Sequence, residues 1–137
     1  MWYASAVFPV PSGALLLKAD DENAALARLA AADLVVTPLR IARGIQNKVL
    51  EAMAMARAVV ATPAAFEGIE AEPGRDLIVA AGAEAMAAEI ARLLGDKAAR
   101  EALGAHARAL VTQSYSWESR LSALDDMVMP AGRKAAA

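Results

Sequence analysis

The chain has 137 residues, which is enough for one domain with a sizeable core and too few for two α/β domains. Hydrophobic residues make up 58% and charged residues 22%, which excludes the composition of a disordered chain and indicates a compact, helix-rich domain. The 14 Lys and Arg nearly balance the 16 Asp and Glu, and there is no Cys, so a general attraction to nucleic acid, a disulfide framework and a zinc–thiolate site are excluded.

The first eight residues are apolar, but no basic segment precedes them and prolines follow at Pro9 and Pro11. This pattern is not typical of a signal peptide. No stretch reaches the roughly 18 charge-free apolar residues that a membrane span needs, so we expect no transmembrane segment. The lack of Cys also suits the cytoplasm. We therefore expect a cytoplasmic protein, with the inner face of the membrane as an alternative location.

The N-terminal third predicts one weak strand and one helix. The apolar run 14–17 has strand length, although it lacks β-branched residues. Asp20 or Asp21 then caps a helix that ends near Ala32. The helical spacing predicts an inward face of Leu26, Leu29 and Ala30.

Two short β-branched runs follow, Leu34–Thr37 and Val59–Thr62, and each is stopped by a proline. Such runs are typical of buried parallel strands. Between them, Asn47 is the predicted N-cap of a helix that continues to about Ala56. Its predicted inward residues are Val49, Leu50 and Met53. Strand, helix and strand in this order predict a parallel βαβ unit.

The C-terminal half continues the alternation. Segment 63–75, rich in Gly, Pro and Glu, predicts a loop, and Leu77–Val79 predicts a further strand. Two helices follow, separated at Gly95 and Asp96. Their predicted inward residues are Met86, Ile90, Leu93 and Leu94 in the first helix, and Leu103, Ala107, Leu110 and Val111 in the second. Ser116 is the predicted N-cap of a last helix, 117–127.

These elements predict an α/β fold with an open, mostly parallel sheet and helices on both of its faces. No internal repeat or second-domain linker is visible, so we expect one domain over residues 1–129 and a disordered tail at 130–137. Ligands of such sheets bind beyond the carboxyl ends of the strands. The loops after Thr37 and Thr62 are therefore the places where a site is expected.

The first of these loops carries Arg40 and Arg43 and brings Lys48 to the start of a helix. Free amides and the helix dipole at that point favour an anion. Asn47, Lys48 and Glu51 share one helix face, where the carboxylate could accept hydroxyl hydrogen bonds from a ribose diol. The alternative is that Lys48 and Glu51 form an ordinary exposed ion pair.

The stretch from Leu34 to Thr62, LVVTPLRIARGIQNKVLEAMAMARAVVAT, carries a resemblance, together with Glu67-Gly68-Ile69 and the segment 74–79. It resembles the group 1 retaining glycosyltransferases, whose motifs include Leu-Glu-Ala-Met-Ala, and especially bacterial sugar transferases of exopolysaccharide and protein-sorting loci. The resemblance runs over about 31–127. It implies the Rossmann-like C-terminal domain of the GT-B fold, N-terminally incomplete, which binds the nucleotide-sugar donor.

By this resemblance, Glu51 matches the second acid of the E-x7-E motif and is expected to hold ribose hydroxyls, whereas Arg43 stands where the first acid is expected. Arg43 and Lys48 suit the diphosphate instead. Gly44 would allow close backbone approach. The resulting nucleotide-sugar site comprises Arg43, Gly44, Ile45, Asn47, Lys48, Val49 and Glu51. No catalytic residue, metal site or cofactor is predicted beyond the donor substrate.

Three functions fit these observations. The first is the donor-binding part of a glycosyltransferase, inactive alone, whose partner is an acceptor-binding N-terminal domain or a second copy of the chain. The second is a sugar-nucleotide epimerase of the same architecture, for which no acid–base constellation is visible. The third is a non-catalytic interaction module, which Arg43 in place of the acid favours.

Overall fold

A computed structural model describes residues 22–116 of the chain, and the side chains of residues 26–116. This part contains five helices and three strands. In chain order they are α1 (Glu22–Ala31), β1 (Leu34–Thr37), α2 (Asn47–Ala54), β2 (Ala58–Ala61), α3 (Pro63–Phe66), β3 (Ile78–Val79), α4 (Ala83–Gly95) and α5 (Lys97–Ser114). The predicted strand at 14–17, the caps at Asp20 and Asp21, the helix at 117–127 and the tail at 130–137 lie outside the described residues.

The three strands form one parallel sheet in the order β1, β2, β3. Val35 pairs with Val59, and Val60 pairs with Ile78. The central strand β2 is buried at all of its positions. A parallel strand that is covered on both faces must be apolar throughout, and the run Ala-Val-Val-Ala meets this requirement.

Two clusters of buried side chains lie on opposite faces of the sheet. Val59 and Ala61 of β2 belong to one cluster, and Ala58 and Val60 belong to the other, because successive residues of a strand point to opposite faces. The first cluster includes Leu29 of α1, Met53 of α2 and Ala107 of α5, and the second includes Met86 and Leu93 of α4 and Leu103 of α5. The predicted α/β fold with helices on both faces is therefore confirmed.

Helix α2 begins differently from the prediction. Gln46 is the N-cap residue, with φ −85° and ψ 100°, and among the described residues no side chain caps the helix. Asn47 is the first helical residue, so its predicted capping role is wrong. The loop turns at Gly44, where φ is +73°, and Gln46 donates from Nε2 to the carbonyl of Gly44 at 3.0 Å. This turn leaves Gln46 as the last extended residue before the helix.

Helix α2 ends at Ala54, and the prediction of about Ala56 is two residues too long. Ala56 instead adopts the left-handed conformation, with φ +55°. The amide of Ala56 donates to the carbonyl of Met53, and the amide of Arg57 donates to that of Ala52, each at 3.0 Å. These two bonds form a Schellman motif, which usually places Gly at the left-handed position.

Ala56→Gly is therefore expected to raise the free energy of unfolding by about 1 kcal/mol, because glycine reaches a left-handed φ without the penalty of a Cβ. Chemical denaturation of the two purified chains would measure this difference. Ala54→Gly, in the exposed last turn of the same helix, is the matched control and should lower stability by about 0.5–1 kcal/mol. A loss of stability in both variants would contradict the strain at Ala56.

The remaining boundaries shift by small amounts. Strand β2 ends at Ala61 because Thr62 caps α3, a helix that lies inside the predicted loop. Strand β3 comprises only Ile78 and Val79, and Leu77 pairs with Pro73 in an isolated bridge. Two residues predicted to face inward are exposed, namely Ala30 and Leu94, because the adjacent Leu29 and Leu93 occupy the buried positions of their helices. Within residues 22–116, no helix is both long and apolar enough to cross a membrane.

Candidate functional site

The carboxyl ends of β1 and β2 lie side by side, as the pairing of Thr37 with Ala61 shows. The β1–α2 loop, residues 38–46, leaves this edge and contacts the segment that follows α3. A Cβ built on Gly68 would lie 3.4 Å from Cγ1 of Ile45. The two loops expected to form a site therefore meet at one edge of the sheet.

The β1–α2 loop presents unpaired positive charge. Arg40 and Arg43 are exposed, and neither side chain forms an ion pair or hydrogen bond with the described residues. From Leu34 to Leu50 the sequence contains these two arginines and Lys48, and no acidic residue. Lys48 is paired with Glu51, the residue that follows this stretch, so the two arginines carry the uncompensated positive charge of the loop.

The same loop also exposes large aliphatic side chains. Leu39 is 37% exposed, Ile41 is 74% exposed and Ile45 is 43% exposed. Among the described residues, Leu94 is the remaining exposed large hydrophobic side chain. Exposed apolar groups concentrated next to cations are typical of a surface that contacts a ligand or a partner.

The N-terminus of α2, next to this loop, has backbone hydrogen-bond donors that a ligand could use. The amides of Val49 and Leu50 donate to the carbonyl of Gln46 at 3.0 and 3.4 Å. Within the described part of the chain, no acceptor bonds to the amides of Asn47 and Lys48. The positive end of the helix dipole also lies at this N-terminus, so these two amides suit an anionic group.

Lys48 and Glu51 form an ion pair, with 2.8 Å between Nζ and Oε2. The side chain of Lys48 is 51% exposed and that of Glu51 is 27% exposed. Glu89 and Arg92 form a similar pair at 2.7 Å on α4. The pair by itself therefore matches the ordinary surface interaction. What sets Glu51 apart from Glu89 is its place in the helix that follows β1, near the carboxyl edge of the sheet, where parallel sheets generally bind ligands.

Val49 is the exception among the seven predicted site residues. Its side chain is fully buried in the first core cluster, and its amide already donates to Gln46. Arg43, Gly44, Ile45, Asn47 and Lys48 are exposed, and Glu51 is half-buried. Six of the seven residues thus remain accessible, whereas Val49 anchors α2 to the sheet.

Thr62 also lies at this edge, and the sequence did not predict a role for it in the site. Its hydroxyl oxygen lies 2.6 Å from the carbonyl oxygen of Leu39 and accepts a hydrogen bond from the amide of Ala65 at 3.3 Å. Thr62 thus links the β1–α2 loop to the start of α3. The dipeptide Thr-Pro is a helix-start signal that could have revealed the capping half of this role.

A cleft of about 140 Å³ lies at the opposite, amino edge of the sheet. It is lined by Asp33, Arg57, Lys97, Arg100 and Glu101. Arg57 donates to the carbonyl of Ala32 at 3.2 Å, and Arg100 donates to those of Leu93 and Leu94 at 2.6 and 2.9 Å. These arginines donate to backbone carbonyls at the C-terminal ends of α1 and α4, which is a structural role. Among the residues described, no three His, Asp or Glu side chains are grouped to hold a metal.

Comparison with known proteins supports the resemblance seen in the sequence. A family model described as glycosyl transferases group 1 matches residues 15–96. The match includes the whole sheet, the β1–α2 loop and helix α2. No curated protein matches the chain. Because the matched segment covers more than half of the 137 residues, the chain belongs to the glycosyl transferases group 1 family.

Proposed function

We propose that this chain is the nucleotide-sugar-binding part of a glycosyltransferase, and that the β1–α2 loop and the N-terminus of α2 hold the donor. One observation carries the proposal. Two arginines that form no ion pair with residues 22–116 lie in a loop at the carboxyl edge of a parallel sheet. The loop leads directly into two helix amides for which this part of the chain supplies no acceptor. Cations and amides arranged in this way suit a diphosphate.

In this proposal the diphosphate binds Arg43, Lys48 and the free amides of Asn47 and Lys48. The backbone at Gly44 is exposed, and a Cβ built there would meet nothing within 4 Å, so a phosphate could approach the chain closely. Its φ of +73° also favours glycine at this turn. Ile45 would offer apolar contact to the nucleoside or sugar.

Glu51 would accept hydrogen bonds from the ribose hydroxyls. Lys48 contacts Oε2 of this carboxylate, which leaves Oε1 for a hydroxyl donor. A bound diphosphate would also attract Lys48 and release Oε2. Val49 makes no ligand contact in this proposal, because its side chain and its amide are both occupied within the protein.

Titration of the purified chain with UDP, GDP and their sugar conjugates by calorimetry tests the proposal. Glu51→Ala is expected to weaken binding about tenfold, because hydrogen bonds to a charged group contribute roughly 1.5–3 kcal/mol. Glu89→Ala is the matched control, since it breaks the similar Glu89–Arg92 pair on α4. A folded wild-type chain that binds no nucleotide, or equal weakening in both variants, would contradict the proposed site.

Transfer of the sugar completes the proposal. The resemblance to retaining enzymes implies departure of the donor diphosphate with retained anomeric configuration, with cations stabilising the leaving charge. It also implies a second, acceptor-binding domain, so we expect the donor-binding chain to be inactive or barely active alone. A glycan acceptor in an exopolysaccharide or protein-sorting context is part of the same proposal.

A non-catalytic interaction module is the second candidate, and the exposed aliphatic side chains favour it. Leu39, Ile41 and Ile45 would then form the centre of a protein contact. Analytical ultracentrifugation separates the two functions. Self-association that Ile41→Glu abolishes, in a folded chain that binds no nucleotide, would favour the module.

A further inference from the structure

A hydrogen bond from the hydroxyl of Thr62, which lies between β2 and α3, holds the β1–α2 loop. Oγ1 of Thr62 lies 2.6 Å from the carbonyl oxygen of Leu39 and 3.4 Å from that of Thr37. Since a hydroxyl has one proton, the shorter distance identifies Leu39 as the acceptor. The carbonyl of Thr37 already accepts from the amide of Thr62 at 3.2 Å. Leu39 directly precedes Arg40, so this bond holds the loop next to its first cation.

We propose that Thr62 is a positioning residue for donor binding, whose hydroxyl holds the β1–α2 loop in the conformation that presents Arg40 and Arg43. This inference rests on the donor-binding function proposed above. The side-chain hydrogen bond from Gln46 to Gly44 joins residues two apart, whereas the bond from Thr62 to Leu39 spans 23 residues of sequence. Thr62 therefore connects the loop to the sheet, and Gln46 shapes only the turn.

A hydroxyl at this position both donates and accepts. It donates to Leu39 and accepts from the amide of Ala65, which fixes α3 and the loop relative to each other. Valine has nearly the same shape as threonine and can do neither, whereas serine can do both. Without the bond, the loop is more mobile before the donor binds, and ordering it then reduces affinity.

Trypsin cleavage under native conditions tests, without a ligand, whether the bond from Thr62 to Leu39 restrains the loop. Arg40 and Arg43 are themselves trypsin cleavage sites in that loop. Thr62→Val is expected to speed cleavage there about fivefold relative to cleavage after Arg108 in the middle of α5, and mass spectrometry measures both rates. Thr62→Ser should restore the wild-type rate. Asp96→Ala, which removes a comparable cap acceptor at the start of α5, should leave the loop rate unchanged.

Calorimetric titration with UDP tests whether holding the loop in place raises the affinity for the donor nucleotide. The affinity of Thr62→Val should fall about fivefold, and Thr62→Ser should bind like the wild type. An unchanged loop cleavage rate in Thr62→Val would show that the hydrogen bond from Thr62 to Leu39 does not hold the loop. It would not contradict the proposed donor site. Faster cleavage with unchanged UDP affinity would overturn the positioning role. If the wild-type chain binds no nucleotide, the donor-binding function fails and the positioning role fails with it, while the cleavage rates still report on that hydrogen bond alone.

Discussion

Replacing Gly104 with alanine is expected to lower the free energy of unfolding by about 3 kcal/mol, because forcing an extra methyl into a packed site strains the surrounding backbone. Gly104 is buried in α5, where that helix crosses the end of α2. A Cβ built there would overlap the carbonyl oxygen and carbon of Ala56. Both are backbone atoms of the Schellman turn, so no side-chain rotation relieves the overlap.

Gly95→Ala is the matched control for this prediction. Gly95 ends α4, and a Cβ built on it would meet nothing within 4 Å. Alanine should therefore stabilise the chain by about 0.5–1 kcal/mol through its helix propensity. Urea denaturation of the two variants measures both changes. Similar stability of Gly104→Ala and wild type would mean that the backbone of α5 at Gly104 does not approach the carbonyl of Ala56 closely.

Arg43→Glu is expected to weaken binding of a nucleoside diphosphate roughly 30-fold, because the change removes a charge-assisted contact and places a repelling carboxylate beside the diphosphate. Calorimetry with UDP and GDP measures the effect. The loss of affinity should shrink as ionic strength rises, because Arg43 is exposed and the Debye length, about 8 Å at physiological ionic strength, shortens as salt is added.

Arg28→Glu makes the same change in charge at a distant place. Arg28 is exposed in the last turn of α1, which precedes β1, and it therefore lies towards the amino edge of the sheet. Its reversal should leave affinity nearly unchanged. Equal loss of affinity in the two variants would indicate a general charge effect, and full affinity in Arg43→Glu would exclude Arg43 from the site.

The fold follows closely from sequence because its strands are short apolar runs, two of which, β1 and β2, are closely followed by a proline. Strand β1 matches the prediction residue for residue, and the helix pattern of Met86, Leu93 and Leu103 placed these residues in the core. The apolar pattern predicts these elements because a parallel strand covered on both faces is apolar at every position, whereas a helix that covers the sheet is apolar on one face only.

The candidate site was predictable only in part. The spacing of Lys48 and Glu51 placed them on one helix face, and the structure shows them paired at 2.8 Å. The tie from Thr62 to Leu39 was not predictable, because its partners are 23 residues apart and the acceptor is a backbone carbonyl that carries no signature in the sequence. The burial of Val49 followed from the helix pattern, but its amide partner did not.

Local patterns thus specify the order of strands and helices, the apolar faces and the place of the cationic loop, since each depends on residues close together in the chain. The close approach of α5 to Ala56 depends instead on how distant backbones meet. The left-handed conformation of Ala56, at φ +55°, also depends on tertiary contacts, because alanine by itself favours continuing the helix. There the packing of α5 against α2 and β2 offsets the local cost, and the free energy of that packing appears only once the chain has folded.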